Sequence, residues 1–185
     1  MYRVWAKRNL GQGIKLACYA PVIMAEKDFT HLDEEGNAAM VNVGDKPRTQ
    51  RTATAFGKLR MRPETRTRVL SSKVPKGNVV EVARIAGIQA GKRTAELIPL
   101  CHPLSLSSVA VDLMVGESWV GVEATTETVD RTGVEMEALV ACSVAALTVY
   151  DMCKARDRSM TVESLGLYEK SGGRSGEWWR DDHPT

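Results

Sequence analysis

Small and apolar residues at Ala53, Ala55, Gly57, Leu59 and Met61 alternate with Thr54, Phe56, Lys58 and Arg60, and this period of two predicts a strand over residues 52–61. Pro63 then suits a first helical position, where a missing N–H costs nothing, and Glu64 falls in the positive first turn. A short helix is expected to about Ser72. Pro75 and Gly77 bracket Lys76 in a turn. Asn78, with Glu81 three residues on, has the logic of a capping box and precedes Val82, Ile85, Ala86 and Gln89 at helical spacing, so a second helix should end near Gly91. After Pro99 and Pro103, Val109, Val111, Leu113 and Val115 alternate. A turn at 116–118 follows, and Val120, Val122 and Ala124 alternate again, which predicts a β-hairpin. Residues 134–156 are Ala-rich and free of Pro and Gly, with Met136, Leu139 or Val140, Ser143, Leu147 and Tyr150 recurring every three to four positions as the longest helix. A last strand is expected over 159–168, before a Gly-rich turn at 171–173 and a polar tail, 178–185, that contains Trp178 and Trp179.

The order strand, paired helices, hairpin, helix, strand matches the split β-α-β pattern of ferredoxin-like α+β domains. The expected fold is an antiparallel sheet with helices packed on one face and one extra helix in the first crossover. Such a fold carries many unrelated functions, so the chemistry must be read from side chains.

Composition narrows the choice of partners. Hydrophobic residues make up 43% and charged residues 26% of 185 positions, enough for one ordinary core, placed over 24–177. Twenty-five Lys and Arg against 23 Asp and Glu leave a net charge of +2, so no global positive field points to nucleic acid and any anion site must be local. Cys18, Cys101, Cys142 and Cys153 show no two-residue spacing. Cys142 and Cys153 fall in one expected helix, about 16 Å apart along its axis, which no disulfide spans. Reduced thiols in a cytoplasmic protein without structural zinc are expected. No apolar run approaches the roughly 20 residues of a membrane span. Residues 1–23 carry Arg3, Lys7, Arg8 and Lys15 with no acid, and a ten-residue apolar stretch from Leu16 to Ala25 is interrupted by Pro21. Met24 would serve as a natural start, so 1–23 reads as an upstream extension outside the main fold rather than a targeting peptide.

Several residues could carry chemistry. Cys101 and His102 lie between Pro99 and Pro103, and His102 could bind phosphate as a cation or transfer protons, although a loop histidine is commonly structural. Cys101 has no activating base implied by sequence adjacency. Glu135 and Glu137 open the long helix, where its dipole favours them by about 0.3–1 kcal/mol each, so capping alone would explain both. Asp151 and Lys154 lie one turn apart on one helix face. They are either a surface ion pair worth under about 1 kcal/mol or a poised acid/base pair. Lys73, Lys76, Lys92 and Arg93 cluster around the second helix, and Lys170 precedes Ser171-Gly172-Gly173, whose backbone N–H groups could face an anion. No Walker loop, Rossmann fingerprint or kinase signature is present.

Together, Lys76-Gly77, residues 83–88, 97–104, 132–139 and 150–154, and Lys170-Ser171-Gly172-Gly173 resemble the cyclic pyranopterin monophosphate synthase family, also called the molybdenum cofactor biosynthesis protein C family. The resemblance covers about Phe29 to Glu177. It implies that a cyclised GTP derivative, 3',8-cyclo-7,8-dihydro-GTP, is rearranged to a pyranopterin bearing a cyclic phosphate with loss of pyrophosphate. By matching motif position it implies that Asp151 is the catalytic acid/base, assisted by Lys154 and Lys76. Leu100, Cys101, His102, Met136 and Glu137 would contact substrate, with Glu135 and Lys170 in support. It also implies a homohexamer, a trimer of dimers, with active sites at a dimer interface.

The residues fit that chemistry. Ring opening and closure need proton transfers, which a carboxylate beside an ammonium can exchange. Displacing pyrophosphate needs cations around a triphosphate. No redox cofactor is required; Mg2+ could accompany the triphosphate, but the sequence shows no dedicated metal cage. The rival reading is a catalytically silent module that binds a nucleotide as a regulator, and it leaves the Asp151 and Lys154 pair without a purpose.

Overall fold

The computed structural model describes residues 35–71 and 77–181. Residues 1–23 and Lys76, both singled out above, lie outside the described residues. The elements run β1 (Thr49–Arg60), α1 (Pro63–Leu70), α2 (Val79–Gly91), α3 (Thr94–Leu97), β2 (Leu106–Val115), β3 (Trp119–Asp130), α4 (Glu135–Cys153), β4 (Thr161–Ser171) and β5 (Trp178–Trp179). They form one sheet in the order β2-β3-β1-β4-β5, antiparallel throughout. Its first four strands have the connectivity of a ferredoxin-like domain, with α1, the expected extra helix, and the one-turn α3 both added to the first crossover.

The alternation in β1 has a direct physical outcome. Ala53, Ala55 and Leu59 are fully buried beneath the helices, as are Val120, Val122 and Ala124 of the neighbouring strand β3. The opposite face of β1 is polar and aromatic. There Thr54 donates to Glu169 at 2.9 Å, Phe56 meets Tyr168 edge-on with centroids 5.7 Å apart, and Lys58 lies 4.5 Å from the Trp119 ring centroid.

Helix α4 lies across the inner face, and small side chains let it come close. Its buried stripe is Ala138, Ala141, Cys142, Ala145, Ala146 and Val149. A Cβ at Gly87 of α2 would lie 2.9 Å from the Ala141 carbonyl oxygen and 3.2 Å from Val111 Cγ2, so α2 fits against α4 and β2 only because that hydrogen is not a methyl. Asn78 caps α2 as expected, its side chain accepting from the Glu81 N–H at 3.3 Å, while the Glu81 carboxylate pairs with Arg84. By length and composition α4 reaches the range of a membrane span, which corrects the reading that no apolar run comes near it. Its burial against the sheet and α2 accounts for that apolarity.

Boundaries differ from the sequence reading where polar residues extend an element. β1 begins at Thr49, opposite Asp130, and β4 runs on to Ser171, opposite Thr52. Backbone pairing carries both strands past the apolar alternation that marks their middles. The long helix stops at Cys153, because residues 154–160 turn around a buried Asp157. Trp178 and Trp179, read as part of a tail, pair with Lys170 and Glu169.

The tight seam between α2 and α4 makes Gly87 a test of packing. Gly87→Val should cost about 1–3 kcal/mol by overpacking, which at this chain length lowers Tm by several degrees. Circular dichroism melting measures it; an unchanged Tm would mean the helices can part at no cost.

Candidate active site

The site residues gather at the two ends of α4. At its N-terminal end, Glu137 is buried at 4% exposure. Burial raises its carboxyl, against a bond from its own backbone N–H, and the nearby Glu135 charge adds to the rise, bringing it to about 7. Cys101, half-buried, is pushed above the ordinary thiol value by burial and then by the Glu137 charge. It is therefore held as a thiol at neutral pH.

His102 follows in the same loop. Its Nε2 lies 2.8 Å from the Val41 carbonyl oxygen. A carbonyl can only accept, so Nε2 carries a proton, and Nδ1 is the ring's acceptor when the imidazole is neutral. Leu100, next to Cys101, and Met136, between Glu135 and Glu137, are half-buried. From β4, Lys170 Nζ stands 3.8 Å from Glu135 Oε1 and also bonds the Ser175 hydroxyl.

Arg51 belongs with these cations although the sequence reading missed it. Gly172 and Gly173 have φ of +94° and +74°, and a Cβ on Gly173 would fall on Arg51 Nη1. The Gly pair is thus required by its left-handed backbone, and at Gly172 also by the Gln50 carbonyl oxygen, which a Cβ there would strike; the Arg51 guanidinium packs against Gly173. Arg51 donates through Nη2 to the Arg131 carbonyl at 3.4 Å, while its Nε is buried with no hydrogen-bond partner among the described residues. The available signal was parity: Arg51 shares the inner face with Ala53 and Ala55, and Lys170 lies opposite Ala53. Two cations continuing an apolar face are an anomaly that alternation alone does not flag.

At the C-terminal end, Asp151 Oδ1 and Lys154 Nζ are 2.7 Å apart with side chains 54% and 53% exposed. The hydrogen bond to Asp151 and then its charge hold Lys154 above the usual lysine value, so it is an ammonium. From Glu137 to Asp151 is fourteen residues of one helix, about 21 Å along its axis. Within one chain the Asp151 and Lys154 pair therefore does not meet Glu137, Glu135, Cys101 and Lys170. Among the described residues no group of three His, Cys, Asp or Glu comes together as a metal site would require.

A family model described as the MoaC family matches residues 40–173. The chain is 58% identical over 157 residues to a protein of Thermomicrobium roseum, covering 84% of this chain and 95% of that one. It is 60% identical over 156 residues to a protein of Roseiflexus sp., covering 83% and 99%, and 54% identical over 153 residues to one of Desulfatibacillum aliphaticivorans, covering 82% and 96%. All three are named cyclic pyranopterin monophosphate synthase.

The raised Glu137 has a thermodynamic consequence. Its folded value, about 7, exceeds the ordinary 4.5, so its contribution to stability is intact below about pH 4.5 and is lost as pH rises to about 7. Gln is neutral at every pH and escapes this loss. Glu137→Gln should match the unsubstituted protein near pH 4.5 and exceed it at pH 8, by on the order of 3 kcal/mol before relaxation. Melting curves at the two pH values measure the gap; equal stability at pH 8 would place the Glu137 carboxylate in a solvated site.

Proposed function

The chain belongs to the MoaC family, and from that premise we propose that it completes its active site only where two chains meet. The reaction is that of a cyclic pyranopterin monophosphate synthase, a lyase of molybdenum cofactor biosynthesis that converts the cyclised GTP derivative to cyclic pyranopterin monophosphate and diphosphate. The observation that carries the shared site is the separation of about 21 Å along α4 between Glu137 and Asp151. One small substrate cannot touch both ends of that helix. In a symmetric dimer, the Glu137 end of one chain can meet the Asp151 end of its partner, giving two equivalent sites. Exposed apolar side chains support this contact: Leu147 lies one turn before Asp151 on α4 and is 56% exposed, and Val82 and Ile85 are exposed on the adjoining α2.

The roles divide by charge. Asp151 takes protons as rings open and close, and Lys154, held as an ammonium by that carboxylate, returns them, with Lys76 assisting. When the cyclic phosphate forms, a substrate hydroxyl attacks the α-phosphorus, the bond to the bridging oxygen breaks, diphosphate leaves, and the hydroxyl proton passes to the carboxylate. Lys170 and Arg51 supply cationic donors for phosphate oxygens, and His102, whose Nε2–H is held by the Val41 carbonyl, can donate to one through Nδ1 only as the imidazolium. Leu100, Cys101 and Met136 wall the substrate, and Glu135 holds Lys170 in place. Glu137, titrating near 7, can present a donor or an acceptor to the base-derived edge. No resident cofactor is needed; Mg2+ would enter with the triphosphate. The assembly is taken as a hexamer, a trimer of dimers, working in the cytoplasm.

Pyrophosphate release from the cyclised GTP derivative tests the assignment against a silent nucleotide-binding module. Asp151→Asn and Lys154→Ala should each lose about a hundredfold or more in turnover with unchanged circular dichroism, since both side chains are exposed. Mixing Asp151→Asn with Glu137→Ala should restore about a quarter of the normal rate, because half the dimers are mixed and each holds one intact site. Full activity of both single variants would refute the roles; verified subunit exchange without recovery would refute the shared site.

A further inference from the structure

We propose that Asp157, through the turn it anchors, is the positioning residue for the Asp151 and Lys154 pair. The inference rests on the reading of that pair as catalytic. Lys154 occupies the C-cap of α4, with its backbone N–H on the Tyr150 carbonyl at 2.8 Å. A last turn of this kind frays unless something beyond it is fixed. What is fixed is Asp157, whose N–H bonds the Cys153 carbonyl at 3.2 Å and whose carboxylate is fully buried.

That carboxylate joins three elements. Oδ2 accepts from the Arg62 backbone N–H at 2.9 Å and from the Thr65 hydroxyl at 3.1 Å, at the N-cap and in the first turn of α1. Oδ1 accepts from the Ser159 N–H at 3.1 Å and the Ser159 hydroxyl at 2.6 Å, just before β4. Arg62 Nε adds an ion pair at 3.3 Å, and the same guanidinium reaches the Arg156 carbonyl. Arg62 is the N-cap of α1 and supplies no side-chain cap of its own, so one carboxylate serves the start of α1 and the exit from α4 together. Burial by itself would raise this carboxyl. The bonds from the Ser159 hydroxyl, the Arg62 N–H, the Thr65 hydroxyl and the Ser159 N–H outweigh it and hold it at about 2. The anchor is therefore charged throughout the neutral range and does not vary with pH there. Lys154 is three residues from this anchor and Asp151 six. Loosening the turn frees the lysine end of the pair while the Asp151 end stays on the helix.

The test uses the full chain. Asp157→Asn, Thr65→Val and Ser159→Ala each remove part of the network. Val122→Ala, in the core away from the pair, serves as a control for lost stability alone. Asp157→Asn should lower kcat for pyrophosphate release by about tenfold or more, the scale of a small misplacement of reacting groups, with KM within about threefold. Thr65→Val and Ser159→Ala should lower kcat less, in proportion to the donors lost. The alkaline limb of the kcat profile should move to lower pH in all three, because Lys154 no longer sits firmly against Asp151. Thr65→Val changes no charge, so a shift there cannot be the missing Asp157 charge. The inference is overturned if kcat and its pH profile are normal in these variants, or if Val122→Ala with an equal loss of Tm lowers kcat as much. If Asp157→Asn fails to fold, Thr65→Val and Ser159→Ala decide by the same criteria. Activity retained in Asp151→Asn would sink the underlying catalytic reading; an inactive Asp151→Asn beside a normal Asp157→Asn would sink only the positioning role.

Discussion

The close approach of α4 to the sheet and to α2 sets the other distances in the molecule. It depends on a stripe of Ala and Cys on the helix facing Ala53, Ala55 and Ala124 on the sheet, and on Gly87 at the seam with α2. Larger side chains would add apolar area per residue but hold the layers farther apart. With small ones, α4 is buried along most of its 19 residues and cannot bend to bring its ends together. Its length is therefore a fixed ruler between the two groups of polar residues.

Different terms tune the two ends of that ruler. At the N-terminus the helix dipole favours negative charge by about 0.3–1 kcal/mol. For Glu137 burial is larger and acts the other way, so the carboxyl rises to about 7. Being a capping acid does not make it an anion. At the C-terminus the dipole favours a cation, and Lys154 gains more from its direct bond to Asp151. Burial dominates one end and a contact pair the other.

What could be read from the sequence follows from the range of each interaction. Strand interiors, the Asn78 cap and the body of α4 are local patterns, and the structure reproduces them, with α4 ending three residues early at Cys153. The strand order followed from the order of elements, since few connections satisfy it. The polar ends of β1 and β4 were cut short, because backbone pairing leaves no periodic trace in side chains such as Gln50 and Arg51. The one-turn helix α3 offers too few residues for any period. Arg51 was passed over because its contact with Gly173, 122 positions away, exists only once β1 and β4 are paired. The Asp151 and Lys154 pair was visible because three residues on a helix are also neighbours in space. Glu137 was visible as a candidate, but not as a buried one.

The proposed shared site would join catalysis to assembly through the same constraint. An exposed ion pair is worth little and is screened by salt, and in a single chain Asp151 and Lys154 are such a pair. Proton transfer gains from exclusion of water, because electrostatic interactions strengthen as the effective dielectric falls. Leu147, one turn away on α4, is itself exposed and does not supply that exclusion. A partner chain that covers Leu147 would bury apolar surface, dry the pair and deliver the opposite end of its own α4 in one event. Association would then be part of the chemistry, and the free energy of the interface would set the fraction of chains that hold a working site.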